Sequence, residues 1–418
     1  MKKDQSQHDQ VLYQSYGQHL SHSYPEYLKR LGIEATAAHA EGATITDSNG
    51  KSYIDCTAGY GLFNLGHNHP ELVQALVDQL LSAQPMTRPL ISGVQVEMGE
   101  RLAAVSPGDM DCVFLCNSGS EAVDNAIKLA RLHTRKSRII AAEGSFHGYT
   151  YGALSATGIP KFKKFFGPLL SDVVHVPYGD INALKSAITP ETAAVLLEPM
   201  QHEAGIHIPP HDYLADVRAL CSDKGVLLIL DEVKTGFGKA GSLFACDDLG
   251  LIPDILVLGK SLGGGLIPSG AIISTQAIWR KFSLSFSMSA SSFAGNALAS
   301  RAAITTLDIF QRDGSIFNCR AKGESLMSHL STLVARFPNL LTRVSGKGLL
   351  IGLRTADPRI AFNLSCLLTE RGVLAMQAFG EGAEIMFEPP LVISEDQISE
   401  VSGAIDEACH MLSSLARK

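Results

Sequence analysis

Seven short apolar runs between residues 112 and 275 constrain the fold of this chain more than any other feature. They are CVFLCN (112 to 117), RIIAAE (138 to 143), VVHVP (173 to 177), AAVLLEP (193 to 199), VLLILDEV (226 to 233), DILVLGK (254 to 260) and GAIIST (270 to 275). Their near-continuous Val, Ile and Leu indicates strands buried on both faces. Short strands alternating with helical patterns predict an α/β fold with a mostly parallel central sheet flanked by helices. After Phe310 the texture changes to a long amphipathic helix, short strands near VSGKGLLIGL and EIMFEPP, and a last helix to Lys418. The expected organisation is an N-terminal segment (1–60) packing with the small domain, a large domain (61–310) and a smaller α/β domain (311–418). No internal repeat, low-complexity tract or flexible linker interrupts it.

Composition narrows the class of protein. With 418 residues, 45% of them hydrophobic, the chain can bury the cores of two or three domains. The formal net charge of -7 and the lack of a basic run argue against nucleic acid as the main partner. No window is long and apolar enough to span a bilayer, and MKKDQSQHDQ lacks the apolar stretch of a secretory signal. The eight cysteines are scattered, mostly among apolar neighbours, and read as reduced core thiols of a cytoplasmic protein.

In sheets of this kind ligands bind outside the carboxyl ends of the strands, so the residues ending each run carry the functional information. CVFLCN leads into NSGSEAVDNAIKLAR. There Ser118 and Glu121 have capping-box spacing, while Ser118, Gly119 and Ser120 offer amides, hydroxyls and a positive dipole end to a phosphate. VLLILDEV ends in Asp231 and Glu232. The TGFGKAG that follows contains G-x-G-x-x-G, yet Pro253 leaves little room for the helix such a fingerprint needs, and no acid stands about twenty residues on. DILVLGKSLGGG ends in Lys260. A P-loop would need glycine at position 254, which is Asp254, so that reading fails, and a lone lysine at a strand end more often snorkels to water. Together, however, the three strand ends supply a phosphate cradle, a carboxylate and an amine. Pyridoxal phosphate needs all three: an anion site, an acid for its pyridine nitrogen and an amine to form a Schiff base.

NSGSEAVDNAIKLAR, SFHGYTYGALSATG, LILDEVKTGFGKAGSLFA, LGKSLGGGLIPSGA, SSFAGN and VSGKGLLIGL, in that order, resemble the successive motifs of class III (omega) aminotransferases of the aspartate aminotransferase fold, fold type I. The likeness runs from about Gly42 to Leu391. It implies that Lys260 is the Schiff-base lysine and Asp231 the partner of the pyridinium nitrogen. Val233 would pack on one ring face and Phe146, next to His147, on the other. Gly119 and Ser120 would hold the phosphate, with Ser292 reaching it from a second subunit, because family members are homodimers with composite sites. Gly66-His67-Asn68-His69-Pro70 resembles a family turn and has no third ligand, so no metal is assigned. The implied partners are an amine donor and a carbonyl acceptor, free or tethered to a carrier protein. A racemase, decarboxylase or aminomutase would use the same lysine chemistry, and a scaffold protein could keep the shell without it.

This chain departs from the pattern at four places. Lys234 replaces a glutamine expected near the cofactor ring, and His202, between Gln201 and Glu203, replaces a glycine. Tyr149 and Met386 stand where relatives acting on amino acids commonly place arginines. Arginine holds a carboxylate through two charge-assisted hydrogen bonds, and neither replacement can. The expected donor is therefore a primary aliphatic amine or diamine with no adjacent carboxylate, passing Tyr60, Phe63 and Tyr149. Glu203 would be left to attract a cation unless Lys234 or His202 neutralises it. Arg88, in QPMTRP, is the candidate for holding an oxo-acid acceptor, against the plainer reading of a solvated surface residue.

Overall fold

The computed structural model describes residues 2–82, 90–283, 291–380 and 382–415. Two compact units divide the chain, one spanning Pro70–Asn318 and one combining Met1–His69 with Cys319–Lys418.

All seven apolar runs are strands of one sheet in the larger unit: β1 (Cys112–Cys116), β2 (Arg138–Ala142), β3 (Val173–Val176), β4 (Thr192–Leu197), β5 (Leu227–Asp231), β6 (Ile255–Leu258) and β7 (Gly270–Ser274). Their order is β1-β7-β6-β5-β4-β2-β3. The ladders joining β3, β2, β4, β5 and β6 are parallel, whereas β7 is antiparallel to both of its neighbours. The exception has a local cause. Between Leu258 and Gly270 the chain makes only a 3₁₀ turn, Lys260–Gly263, and has no crossover helix of the kind that returns a strand in parallel. Every residue of β4, β6 and β7 is buried, which explains why those runs show no polar alternation. Helix α1 (Gly119–Thr134) covers the sheet with Ala122, Val123, Ala126, Ile127, Leu129 and Ala130, all in the main apolar cluster.

The other unit carries two smaller sheets. In one, the antiparallel strands Ala37–Glu41, Thr44–Asp47 and Ser52–Asp55 are joined in parallel by Val373–Leu374. The second contains the hairpin Leu341–Lys347 and Leu350–Thr355 with Glu384–Phe387 and Met376–Gln377. Its helices Pro358–Glu370 and Glu395–Leu415 each bury one face. All eight cysteines are free, and no helix among the described residues is long and apolar enough to cross a membrane.

The G-x-G-x-x-G segment opens no long helix. Gly238 and Gly241 have φ of 87° and 93°, and only Ala245–Asp248 follows as a single turn. Glu232, fully buried, ties this loop down: its carboxylate accepts from the Thr235 hydroxyl (2.6 Å) and from the amides of Ala245 and Cys246 (2.8 Å each). Burial pushes its carboxyl pKa up in spite of those bonds. Glu232→Ala strands two buried amides, so it is expected to cost about 3 kcal/mol or more of stability. Urea unfolding checks this, and an unchanged midpoint would show that the loop is anchored by something else.

Candidate active site

Five strand ends converge on one cavity of about 160 Å³ within the larger unit. After β1 come Ser118, Gly119 and Ser120; after β2, Phe146, His147, Gly148 and Tyr149; after β4, Glu198 and His202; at β5, Asp231, Val233 and Lys234; after β6, Lys260. This is the crevice that a parallel sheet builds at its carboxyl edge.

The cradle begins at α1. Ser118 is its N-cap, in extended conformation, and accepts from the Glu121 amide at 3.2 Å. The Glu121 carboxylate reaches back one residue further than in a capping box, accepting from the Asn117 amide at 2.6 Å. The first turn of α1 therefore presents Gly119 and Ser120 to the cavity. Glycine at 119 is required sterically, because a Cβ there would come within 2.8 Å of Val233 Cγ1. At Gly148 the backbone has φ of +128° and a Cβ would fall 2.0 Å from Ser120 Oγ, which instead accepts from the Tyr149 amide at 3.1 Å.

Asp231 is 4% exposed, and each of its oxygens is engaged. Oδ1 accepts from the Val233 amide at 3.0 Å, and Oδ2 accepts from His147 Nδ1 at 2.8 Å. His147 Nε2, also buried, has no hydrogen-bond partner among the described residues. Lys260 sits at φ of +42°, a left-handed conformation that costs a non-glycine residue about 1–3 kcal/mol and concentrates at functional sites. The Phe146 ring meets Tyr149, Phe162 and His202 edge-on, with centroids at 5.1, 5.6 and 6.3 Å.

Glu198 and His202 complete the wall, and Glu198 in particular is not singled out by sequence. One Glu198 oxygen accepts from the Phe146 amide at 3.0 Å, and the other lies 3.0 Å from His202 Nδ1. Across the ring, His202 Nε2 lies 3.3 Å from Glu203 Oε1. Burial raises the Glu203 pKa, but the contact with His202 and the charges of Lys234 and Lys260 outweigh it and hold the carboxyl down at about 2. Glu203 is thus neutralised locally. Its charge also adds to burial in raising the Tyr149 phenol.

Eleven of the residues singled out from sequence line this cavity: Ser118, Gly119, Ser120, Phe146, His147, Tyr149, His202, Asp231, Val233, Lys234 and Lys260. Glu203 stands behind His202. Ser292 is exposed, in the turn before the helix Ala297–Arg312, and does not line the cavity of its own chain. Three others belong to the smaller unit. Tyr60 packs on Phe379, Phe63 on the buried His67, and Met386 is buried in the strand Glu384–Phe387. His67 itself bonds Asp55 at 2.8 Å. Arg88 lies outside the described residues.

Residues 29–409 match the family described as aminotransferase class-III, and the chain belongs to that family. Similar solved structures include the acetylornithine aminotransferase from Elizabethkingia anophelis, 30% identical over 96% of this chain and 99% of that chain, with TM-score 0.83. The ornithine aminotransferase from Toxoplasma gondii ME49 is 27% identical over 97% and 96%, with TM-score 0.89. An amine transaminase from an uncultivated Pseudomonas species, in its PLP-bound form, is 27% identical over 90% and 95%, with TM-score 0.83. The chain is a pyridoxal-phosphate-dependent aminotransferase of fold type I.

The residues present fit that cofactor. A cavity of about 160 Å³ matches a single aromatic ring in size, since about 150 Å³ holds benzene. Its polar groups include the Lys260 amine, the buried Asp231 carboxylate and a glycine-lined helix N-terminus, complementary to an aldehyde, a protonated ring nitrogen and a phosphate.

Proposed function

We propose that this aminotransferase takes its amino group from a primary amine with no carboxylate on the reacting carbon, an aliphatic amine or diamine, and passes it to an oxo acid or aldehyde. The observation that carries this reading is the composition of the cavity wall. Among its described residues the cations are Lys234 and Lys260, with no arginine, and Tyr149 stands 63% exposed where a carboxylate-binding arginine would serve. Met386 offers no charge either. The phrases GALSATG, HVPYGDI and ARFPNLL, which resemble putrescine aminotransferase, support an amine donor.

Each residue has a task on this reading. Gly119 and Ser120 bind the phosphate through the first turn of α1, with Ser118 fixing that turn. Phe146 and Val233 hold the two ring faces. Asp231, aimed by His147 and the Val233 amide, keeps the ring nitrogen protonated. Lys260 Nζ would hold the cofactor through its aldehyde and, when free, would be the base nearest the donor carbon's proton. When bound, pyridoxal phosphate supplies the electron sink for that proton removal. Lys234 adds positive charge beside the ring. Ser292 reaches the phosphate of a second copy in a homodimer, with Tyr60 and Phe63 on the donor's path, and Arg88 holds the carboxylate of an oxo-acid acceptor. The enzyme is assigned to the cytoplasm, supported by eight free cysteines.

Single-turnover conversion of the bound cofactor to its amine form tests the donor class. Butylamine or 1,4-diaminobutane is expected to react at least about tenfold faster than ornithine or glutamate. The reverse order would defeat the reading.

A further inference from the structure

His202 is held in an unusual way. It is 4% exposed, with Nδ1 3.0 Å from one oxygen of Glu198 and Nε2 3.3 Å from one oxygen of Glu203. The turn that carries it is closed by paired backbone bonds between Gln201 and His207. Nδ1 is hydrogen-bonded to Glu198, and Nε2, which makes no hydrogen bond of its own among the described residues, stands at ion-pair distance from Glu203, so the ring lies wedged between the two carboxylates. The two carboxylates are unequal. Glu198 is also fixed by the Phe146 amide, whereas Glu203 lies on the far side of His202, near enough to Lys234, Lys260 and Tyr149 to feel and exert charge.

An anion placed beside an amine-binding cavity is a receptor for a second ammonium. Whether it acts as one depends on whether it already has a cation. We propose that His202 is a specificity-determining residue: by occupying the Glu203 carboxylate it denies that anion to the far ammonium of a diamine, so the site favours amines whose far end is uncharged. This rests on the donor being an amine without an adjacent carboxylate. It narrows that class by the charge at the other end of the molecule. The groups that set the balance around the ring are Glu198, Glu203, Lys234 and Lys260, with Tyr149 and the His147–Asp231 pair on the same wall.

The test compares kcat/KM for butylamine and 1,4-diaminobutane in the wild-type holoenzyme, His202→Gln, and His202→Gln with Glu203→Gln. The diamine-to-monoamine ratio is expected to rise about tenfold or more in His202→Gln and to fall back in the double variant. A ratio that is unchanged or lower in His202→Gln overturns the proposal, as does a gain that survives loss of the Glu203 charge. A second measurement does not depend on which amine reacts. In wild-type protein carrying ¹⁵N-labelled histidine, the His202 ring nitrogens, assigned by their loss in His202→Asn, should shift in Glu203→Gln. Ring resonances unmoved by Glu203→Gln overturn the proposal. If neither amine converts the cofactor while those resonances shift, the donor class fails and the pairing of His202 with Glu203 stands.

Discussion

Lys260→Ala is expected to lose at least about 10⁴-fold in turnover while keeping its secondary structure and unfolding midpoint. The size of the loss follows from two tasks resting on one Nζ: yielding to the donor amine and accepting a proton from its carbon. No other residue on the wall is placed to do both. Lys234 is the nearest alternative in kind, but it is 5% exposed and follows β5, on the side of Asp231 rather than at the left-handed turn after β6. The fold should tolerate the change because the core beneath consists of Leu256, Val257, Leu258 and Leu262, all fully buried. Removing a residue at φ of +42° in favour of alanine leaves the backbone strain as it was. Circular dichroism and urea unfolding separate loss of chemistry from loss of fold. Turnover within tenfold of wild type would remove Lys260 from the mechanism.

Asp231→Asn is expected to cost about 10³-fold in kcat with a much smaller change in cofactor affinity. Asparagine keeps the shape and can still accept from the Val233 amide, so the ring would remain bound. What it lacks is the fixed negative charge that keeps a ring nitrogen protonated. His147 makes the site sensitive to this change, because its Nδ1, now 2.8 Å from a carboxylate oxygen, would face a neutral amide. Rates and cofactor dissociation measured on the same preparation check the split. Equal losses in both would make Asp231 a binding residue only.

Much of this architecture was legible because burial on both faces leaves an unambiguous composition. The runs that became β4, β6 and β7 have every residue buried, so their apolar character is continuous and their ends are marked by the first polar residue. Those end residues pointed to the cavity for the same reason. Other features left no local trace. The pairing of Ser52–Asp55 with Val373–Leu374 joins segments more than three hundred residues apart, and a two-residue strand has no period to read. Glu198 ends β4 much as Asp231 ends β5, but the Pro199 behind it reads as the start of a loop. Its use as the common partner of the Phe146 amide and the His202 ring exists only after folding. The departure at His202 was visible in the sequence, while its effect on Glu203 required a distance. The left-handed backbone of Lys260 was invisible, since the glycines after it, and not the lysine, are the residues that advertise such a conformation.

The amine after β6 is the one expected to carry the cofactor. Borohydride reduction of the holoenzyme, followed by proteolysis and mass spectrometry of the peptides, tests it directly. The phosphopyridoxyl group is expected on Lys260, with the same treatment leaving no label on Lys260→Ala protein at any lysine. A label on Lys234 in the wild-type enzyme, or a holoenzyme that borohydride does not label at all, would contradict it.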